Sequence, residues 1–208
     1  MNKVYVTAIV KDVPVEEYGH YLPPMKARRM GRLLKRALVT AIKAMEISGI
    51  NQPDAILNGT AMGCMENSVQ LLKGLRDEGD SVSMPTCFMQ STHNTVASQI
   101  AIFTGNRGYN TTYAHRTISF ELALQDAFLR LRAGLVRSAL VCANDELTEL
   151  QRQQPRFFGQ LEIQDRSEAW MLSIEPGEHP LYEIENVNII HQKGAEDRAV
   201  IKKIPLCD

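Results

Sequence analysis

The stretch from residue 118 to 131 restricts the fold more than any other part of this chain. Ile118, Phe120, Leu122, Ala123, Leu124, Ala127, Phe128 and Leu131 spread apolar side chains around most of a helical circumference. The spacing predicts a helix over 117–133 that Gly134 stops, followed at once by an apolar strand over 137–143. A helix apolar on most sides has to be buried on several sides, as it would be between two sheets. A strand without polar alternation needs cover on both faces. Together they call for a layered α/β arrangement rather than a bundle or a sandwich.

The remaining elements fit that arrangement. Residues 4–10 form a short β-prone run, and 11–24, with Pro14, Pro23 and Pro24, reads as a loop. Over 29–48, Met30, Leu34, Ala37, Leu38, Ala41, Ile42 and Met45 recur at helical spacing before Gly49. Strands are expected over 54–60 and 109–115, and helices over 66–77 and 94–104. Residues 169–174 and 181–190 flank Pro176-Gly177 and read as a hairpin, while the polar stretch 151–167 reads as a mobile loop. The expected fold is a single α/β domain over 1–208, a mixed five-stranded sheet with helices on both faces.

Composition closes off several functions. A net charge of −1 argues against a global attraction to nucleic acid. No apolar run approaches the roughly 20 residues of a membrane span, and the N-terminus reads as a first strand rather than a signal segment. The four cysteines form no C-x-x-C pair and no histidine lies at metal-ligand spacing, so no metal and a cytoplasmic location with reduced thiols are the expectation.

Several blocks, in order, resemble the N-terminal half of the β-ketoacyl synthases of the thiolase-like superfamily. Arg28-Arg29-Met30-Gly31-Arg32 through Gly49-Ile50 is similar to that family's R-R-M-x-R helix. Leu57-Asn58-Gly59-Thr60-Ala61-Met62-Gly63 resembles its strand-to-G-T-G-x-G-G turn. Pro85, Phe88, Asn94, Ala97 and Ile100 follow its P-x-x-x-P block, with Met89 in place of the second proline and Ser98 in place of a glycine. The run 106–117 parallels G-x-R-G-P-N-x-T-x-x-T-A-C, and Thr117 stands where the family has its acyl-accepting cysteine. Residues 140–146 and 167–172 complete a match that runs from about 4 to 190. The resemblance implies a thiolase-like N-terminal half and no cofactor. The family's two catalytic histidines belong to H-G-T-x-T and N-x-F-G-F-G-G, and neither pattern occurs here.

The altered position changes the chemistry. Condensation needs a thiolate stabilised at a helix N-terminus, and an unactivated threonine hydroxyl is a poor nucleophile. Thr117 reads better as an N-cap for the helix that follows. Cys64, beside Gly63, has the best electrostatic position among the thiols, while Cys87 and Cys142 read as small core residues. His115 precedes the altered position by two residues and could share a face with Thr117 only on an extended chain; an interface histidine beside a solvated Arg116 is the plainer reading. The resemblance makes Phe88, His93, His115, Ser119 and Phe120 candidate pocket residues. Phe88 and Phe120 would narrow an acyl tunnel, or simply fill core. His20, His179 and His191 carry no pattern.

Arg28, Arg29, Arg32, Lys35 and Arg36, with Lys26, make a basic cluster that would suit an acidic carrier protein or form a solvated face. Three functions follow. One is a non-catalytic synthase-like subunit, resembling chain length factors, in fatty-acid, aryl-polyene or polyketide-type biosynthesis, bound to a carrier protein, an acyl chain or an active ketoacyl synthase. Another is a small acyltransferase or thioester hydrolase using Cys64 or His115. The third is a binding or structural protein without chemistry. The run 109–115, β-prone and free of proline and lysine, predicts a homodimer or higher oligomer through strand pairing.

Overall fold

The computed structural model describes residues 1–154 and 165–206. Seven strands, β1 (Tyr5–Lys11), β2 (Ala55–Gly59), β3 (Tyr109–Tyr113), β4 (Ser138–Asp145), β5 (Arg166–Ser173), β6 (Tyr182–Ile190) and β7 (Arg198–Pro205), form one curled sheet in the order β3-β2-β4-β5-β1-β6-β7. β2 runs parallel to β3 and β4, and the other pairings are antiparallel. The helices are α1 (Tyr18–Tyr21), α2 (Pro24–Ala27), α3 (Arg32–Ser48), α4 (Met65–Glu78), α5 (Pro85–Met89), α6 (Thr95–Thr104), α7 (Ser119–Ala133) and α8 (Glu149–Gln153). None is long and apolar enough to cross a membrane.

Two cores lie on the two faces of the sheet. Leu34, Leu38 and Met45 of α3 and Ile100 of α6 pack on Ile56, Leu140 and Met171. Leu124, Phe128 and Leu131 of α7 pack on Leu57, Val141 and Leu172. β4 is buried at every position and feeds the two cores alternately, which is why its sequence shows no polar alternation. β1 changes sides midway. Its pairing with β5 slips between Val6 and Ala8, so Val4 and Val6 face α7 while Ala8 and Val10 face α3. One extra residue in a strand moves every later side chain to the opposite face.

The α/β class and helices on both faces agree with the sequence reading, but the sheet has seven strands rather than five. The expected hairpin of 169–174 with 181–190 does not form. β1 lies between β5 and β6, pairing Tyr5 with both Ser173 and Glu183. β6 instead turns back on β7, a strand left out of the sequence reading because most of its residues are exposed and its alternation is interrupted by Lys202-Lys203. The expected mobile loop of 151–167 is ordered at both ends. Thr148 and Gln151 form a reciprocal cap on α8, and Arg166-Ser167 opens β5. The centre of that stretch, 155–164, lies outside the described residues.

α7 is buried along Phe120, Ala123, Leu124, Ala127, Phe128 and Leu131. Part of a second side is covered by β6, which curls toward it: Gln125 Nε2 donates to the Val187 carbonyl at 3.2 Å. Leu129 and Leu135 remain exposed.

Candidate site at the carboxyl ends of the parallel strands

β2, β3 and β4 end side by side, and open α/β sheets place ligands beyond the carboxyl ends of such strands. The corner between β2 and α4 is built around a buried carboxylate. Asp145 Oδ1, at the end of β4, accepts from Thr60 Oγ1 and from the Ala61 N–H, both at 2.8 Å, and from the Met62 N–H at 3.2 Å. Thr60 Oγ1 in turn accepts from the Gly63 N–H at 2.9 Å. Next in sequence, Glu146 Oε1 accepts from the Glu66 N–H at 3.3 Å, in the first turn of α4, where an acid complements the helix dipole. Burial pushes the carboxyls of Asp145 and Glu146 above the usual range. Below them, Asn144 Nδ2 donates to Asn58 Oδ1 at 2.8 Å, and Ser167 Oγ reaches Asn144 Oδ1 at 2.7 Å, a polar ladder beneath α3.

The corner between β3 and α7 is made differently. Ser119 Oγ accepts from the His115 N–H and donates to the Arg116 carbonyl, both at 2.8 Å. Arg116 takes a left-handed backbone with φ of 48°, a conformation uncommon outside glycine. The corner lines a cavity of about 570 Å³ together with the loop that joins β6 to β7. Across it, Asp197 Oδ2 meets His115 Nε2 at 2.7 Å, and Asp197 Oδ1 meets His191 Nδ1 at 2.5 Å. Hydrogen bonds from the two imidazoles, His115 first, hold the Asp197 carboxyl below its usual range.

Thr117 lies in the wall of this cavity beside His115 and Arg116, so the turn brings His115 and Thr117 together without an extended chain. Thr117 is not an N-cap. α7 begins two residues later than expected, its N-cap is Ile118, and no side chain caps it. The other candidates scatter. Phe120 is core, stacked edge-on against Trp170 at 5.1 Å between centroids. Gly59 makes room for it: a Cβ there would sit 2.5 Å from the Phe120 backbone. Phe88 lies on α5 and is 66% exposed, which removes it from any tunnel in this chain. His93 is exposed, against Gly63.

Burial pushes the Cys64 and Cys142 thiols up to about 12, which leaves neither thiolate available near neutral pH. Cys87 Sγ lies 3.6 Å from Gln70 Oε1, and Cys207 lies outside the described residues. In the basic cluster, Arg32 and Arg36 both bind Asp165, and Arg36 also binds Asp12 at 2.7 Å. Lys35 lines a groove beside them, and Arg28 and Arg29 are exposed. Among the described residues no group of three or more His, Cys, Asp or Glu is placed to hold a metal ion.

Asp197 and His191 escaped the sequence reading because the contact that ties their loop to the β3 corner, His115 with Asp197, spans 82 residues and no local pattern marks it. Asp145 and Glu146 could have been found: two acids closing an apolar strand carry a charge into a buried position.

Comparison with known proteins gives the same fold. The model of the β-ketoacyl synthase N-terminal domain matches residues 8–202. A ketosynthase in complex with its chain length factor from Xenorhabdus doucetiae superposes with a TM-score of 0.66 at 20% identity, over 83% of this chain and 79% of that one. The ishigamide ketosynthase/chain length factor gives 0.73 at 17% identity, over 90% and 67%. A type II polyketide synthase acyl-carrier protein in complex with its ketosynthase gives 0.74 at 14% identity, over 91% and 69%. No match was found among curated proteins.

Proposed function

The chain belongs to the β-ketoacyl synthase N-terminal domain family, and from that premise we propose that it is a non-catalytic subunit that pairs with an active ketoacyl synthase. The observation that carries this reading is the β3–α7 corner, whose cavity is lined by His115, Thr117, His191 and Asp197 and by no cysteine among the described residues; in the sequence resemblance Thr117 stands where the family has its nucleophile. Among the described residues no thiol lines that cavity, and the buried Cys64 and Cys142 are held protonated. The acyltransferase alternative loses Cys64 on the same ground.

The association surface in this reading is β3, which is the outermost strand on its side of the sheet and has one free edge. Its sequence, Tyr109-Asn110-Thr111-Thr112-Tyr113, carries no lysine or proline to discourage pairing. The names of the similar structures supply the partner class, as they describe ketosynthases with chain length factors and with a carrier protein. Arg28 and Arg29, exposed just before α3, remain for an acidic carrier protein together with Lys26 and Lys35, since Arg32 and Arg36 are held by Asp165.

The test is a condensation assay with acyl and malonyl carrier proteins. The purified chain alone should give no product, and co-expression with a cysteine-containing synthase should give a complex that does. Tyr109 and Tyr113 bond to the β2 side, so the alternate residues Asn110 and Thr112 turn their backbone groups to the free edge. Thr112→Pro, which removes a backbone donor from that edge, should dissolve the complex. Product from the chain alone sinks the reading. A complex that survives Thr112→Pro removes β3 as its seam, and light scattering that shows only self-pairing assigns the same edge to a homodimer.

A further inference from the structure

We propose that the cavity beside Thr117 is a carboxylate-binding site that the chain's own Asp197 occupies as an internal stand-in. The two histidines of this site come from separate, well-anchored places. His115 follows β3, and its N–H is fixed by Ser119 Oγ. His191 follows the last residue of β6. Their ring nitrogens converge on one planar carboxylate, one nitrogen to each oxygen, at 2.7 and 2.5 Å. That is direct evidence of which chemistry the cradle accepts, because it is already holding a carboxylate through both oxygens.

Asp197 itself is carried by a loop. It lies just before β7 and three residues after Gly194, whose φ of 82° lets the chain turn. His191 and Asp197 thus bracket the connection between β6 and β7, one beside each strand, while His115 sits on the tied corner after β3. Arg116 lines the same cavity, and among the described residues the ion pairs there are those of Asp197 alone. With Asp197 displaced, two imidazoles and one guanidinium would face a single remaining acid, Glu196. A volume of about 570 Å³ admits a small organic acid, and Ile118 with Ala195 offers apolar wall for a short chain.

The ligand class is thus a small carboxylate that competes with Asp197. This inference is independent of the subunit reading, because it concerns binding and not catalysis or assembly.

The experiment is titration of the full chain with acetate at pH 6, followed through the backbone amide proton shifts of residues 194–198. Asp197→Ala should bind acetate at least about tenfold more tightly than the wild type, since the internal competitor is gone. Adding His115→Gln and His191→Gln should abolish that gain. Asp197→Asn keeps the side-chain size and serves if the alanine variant disturbs the loop. Arg116→Ala, which leaves Asp197 in place, should weaken binding further. Equal acetate affinity in the wild type, both Asp197 variants and the triple variant would overturn the site. Inorganic phosphate binding as tightly as acetate would overturn its assignment to carboxylates.

Discussion

The loops that leave β2 and β3 start side by side and are held by opposite means. After β2, the chain wraps a buried carboxylate, Asp145, whose one oxygen takes three donors from residues 60–62. After β3, the corresponding corner is strained at Arg116 and reaches an acid, Asp197, on a distant hairpin loop near the surface. A buried, multiply bonded acid is a fixed structural member, because removing it strands its donors in a water-poor place. An acid paired with half-exposed histidines can be released to water at little cost.

The two corners touch at Gly59, and the largest expected effect lies there. A Cβ at residue 59 would fall 2.5 Å from backbone atoms of Ser119 and Phe120, and neither the buried end of β2 nor the first turn of α7 can retreat. Gly59→Ala should therefore cost more than about 3 kcal/mol or prevent folding, as overpacking against backbone does at its worst. Urea denaturation checks this. A midpoint near that of the wild type would show that α7 slides freely over β2 and that the corners are not coupled.

Next comes the contrast between the two acids. Asp145→Ala leaves the Thr60 hydroxyl and the N–H groups of Ala61 and Met62 without their acceptor, and should cost about 3 kcal/mol. Asp197→Ala should leave the thermal midpoint nearly unchanged, since exposed ion pairs contribute little. If the second substitution destabilises as much as the first, the β6–β7 loop is a structural brace and the comparison collapses.

Much of the first corner was legible in the sequence. Leu57-Asn58-Gly59-Thr60 announces a strand running into a tight turn, and the continuous apolar character of residues 139–143 gives a central strand whose end must lie beside it. The second corner was legible only in part. The apolar circumference of α7 fixed where it would be buried, yet the start of α7 moved from Thr117 to Ser119 because Ser119 closes the turn through its own hydroxyl. β1 shows the same limit. Its apolar run marks a strand, but not that it would separate β5 from β6, since pairing order depends on contacts more than 150 residues apart. The His115–Asp197–His191 cluster is hidden for a related reason: His191 and Asp197 share one loop, but His115 lies 82 residues from Asp197 and no period joins them.

The smallest effect separates the corners by the sign of their pH dependence. Burial raises the carboxyl pKa of Asp145 and Glu146, so the folded protein holds their protons more tightly than the unfolded chain does. Their contribution to stability is fully present below the unfolded value of about 4 and is lost as pH rises through the folded value. Asp197 has the opposite sign. His115 and His191 lower its pKa, so its contribution is present above the unfolded value and is lost as pH falls through the folded one. The stability of the wild type relative to an Asp145→Asn, Glu146→Gln variant should accordingly grow on acidification from pH 7 to pH 4. Measured against Asp197→Asn, it should stay level over that range as far as this carboxyl is concerned, and fall only below about pH 4. Urea midpoints at four or five pH values would resolve the two slopes. A wild-type advantage over the first variant that shrinks on acidification would mean that Asp145 is favoured as a carboxylate by its three donors more than it is disfavoured by burial, and the first corner would then be an anion nest rather than a buried acid.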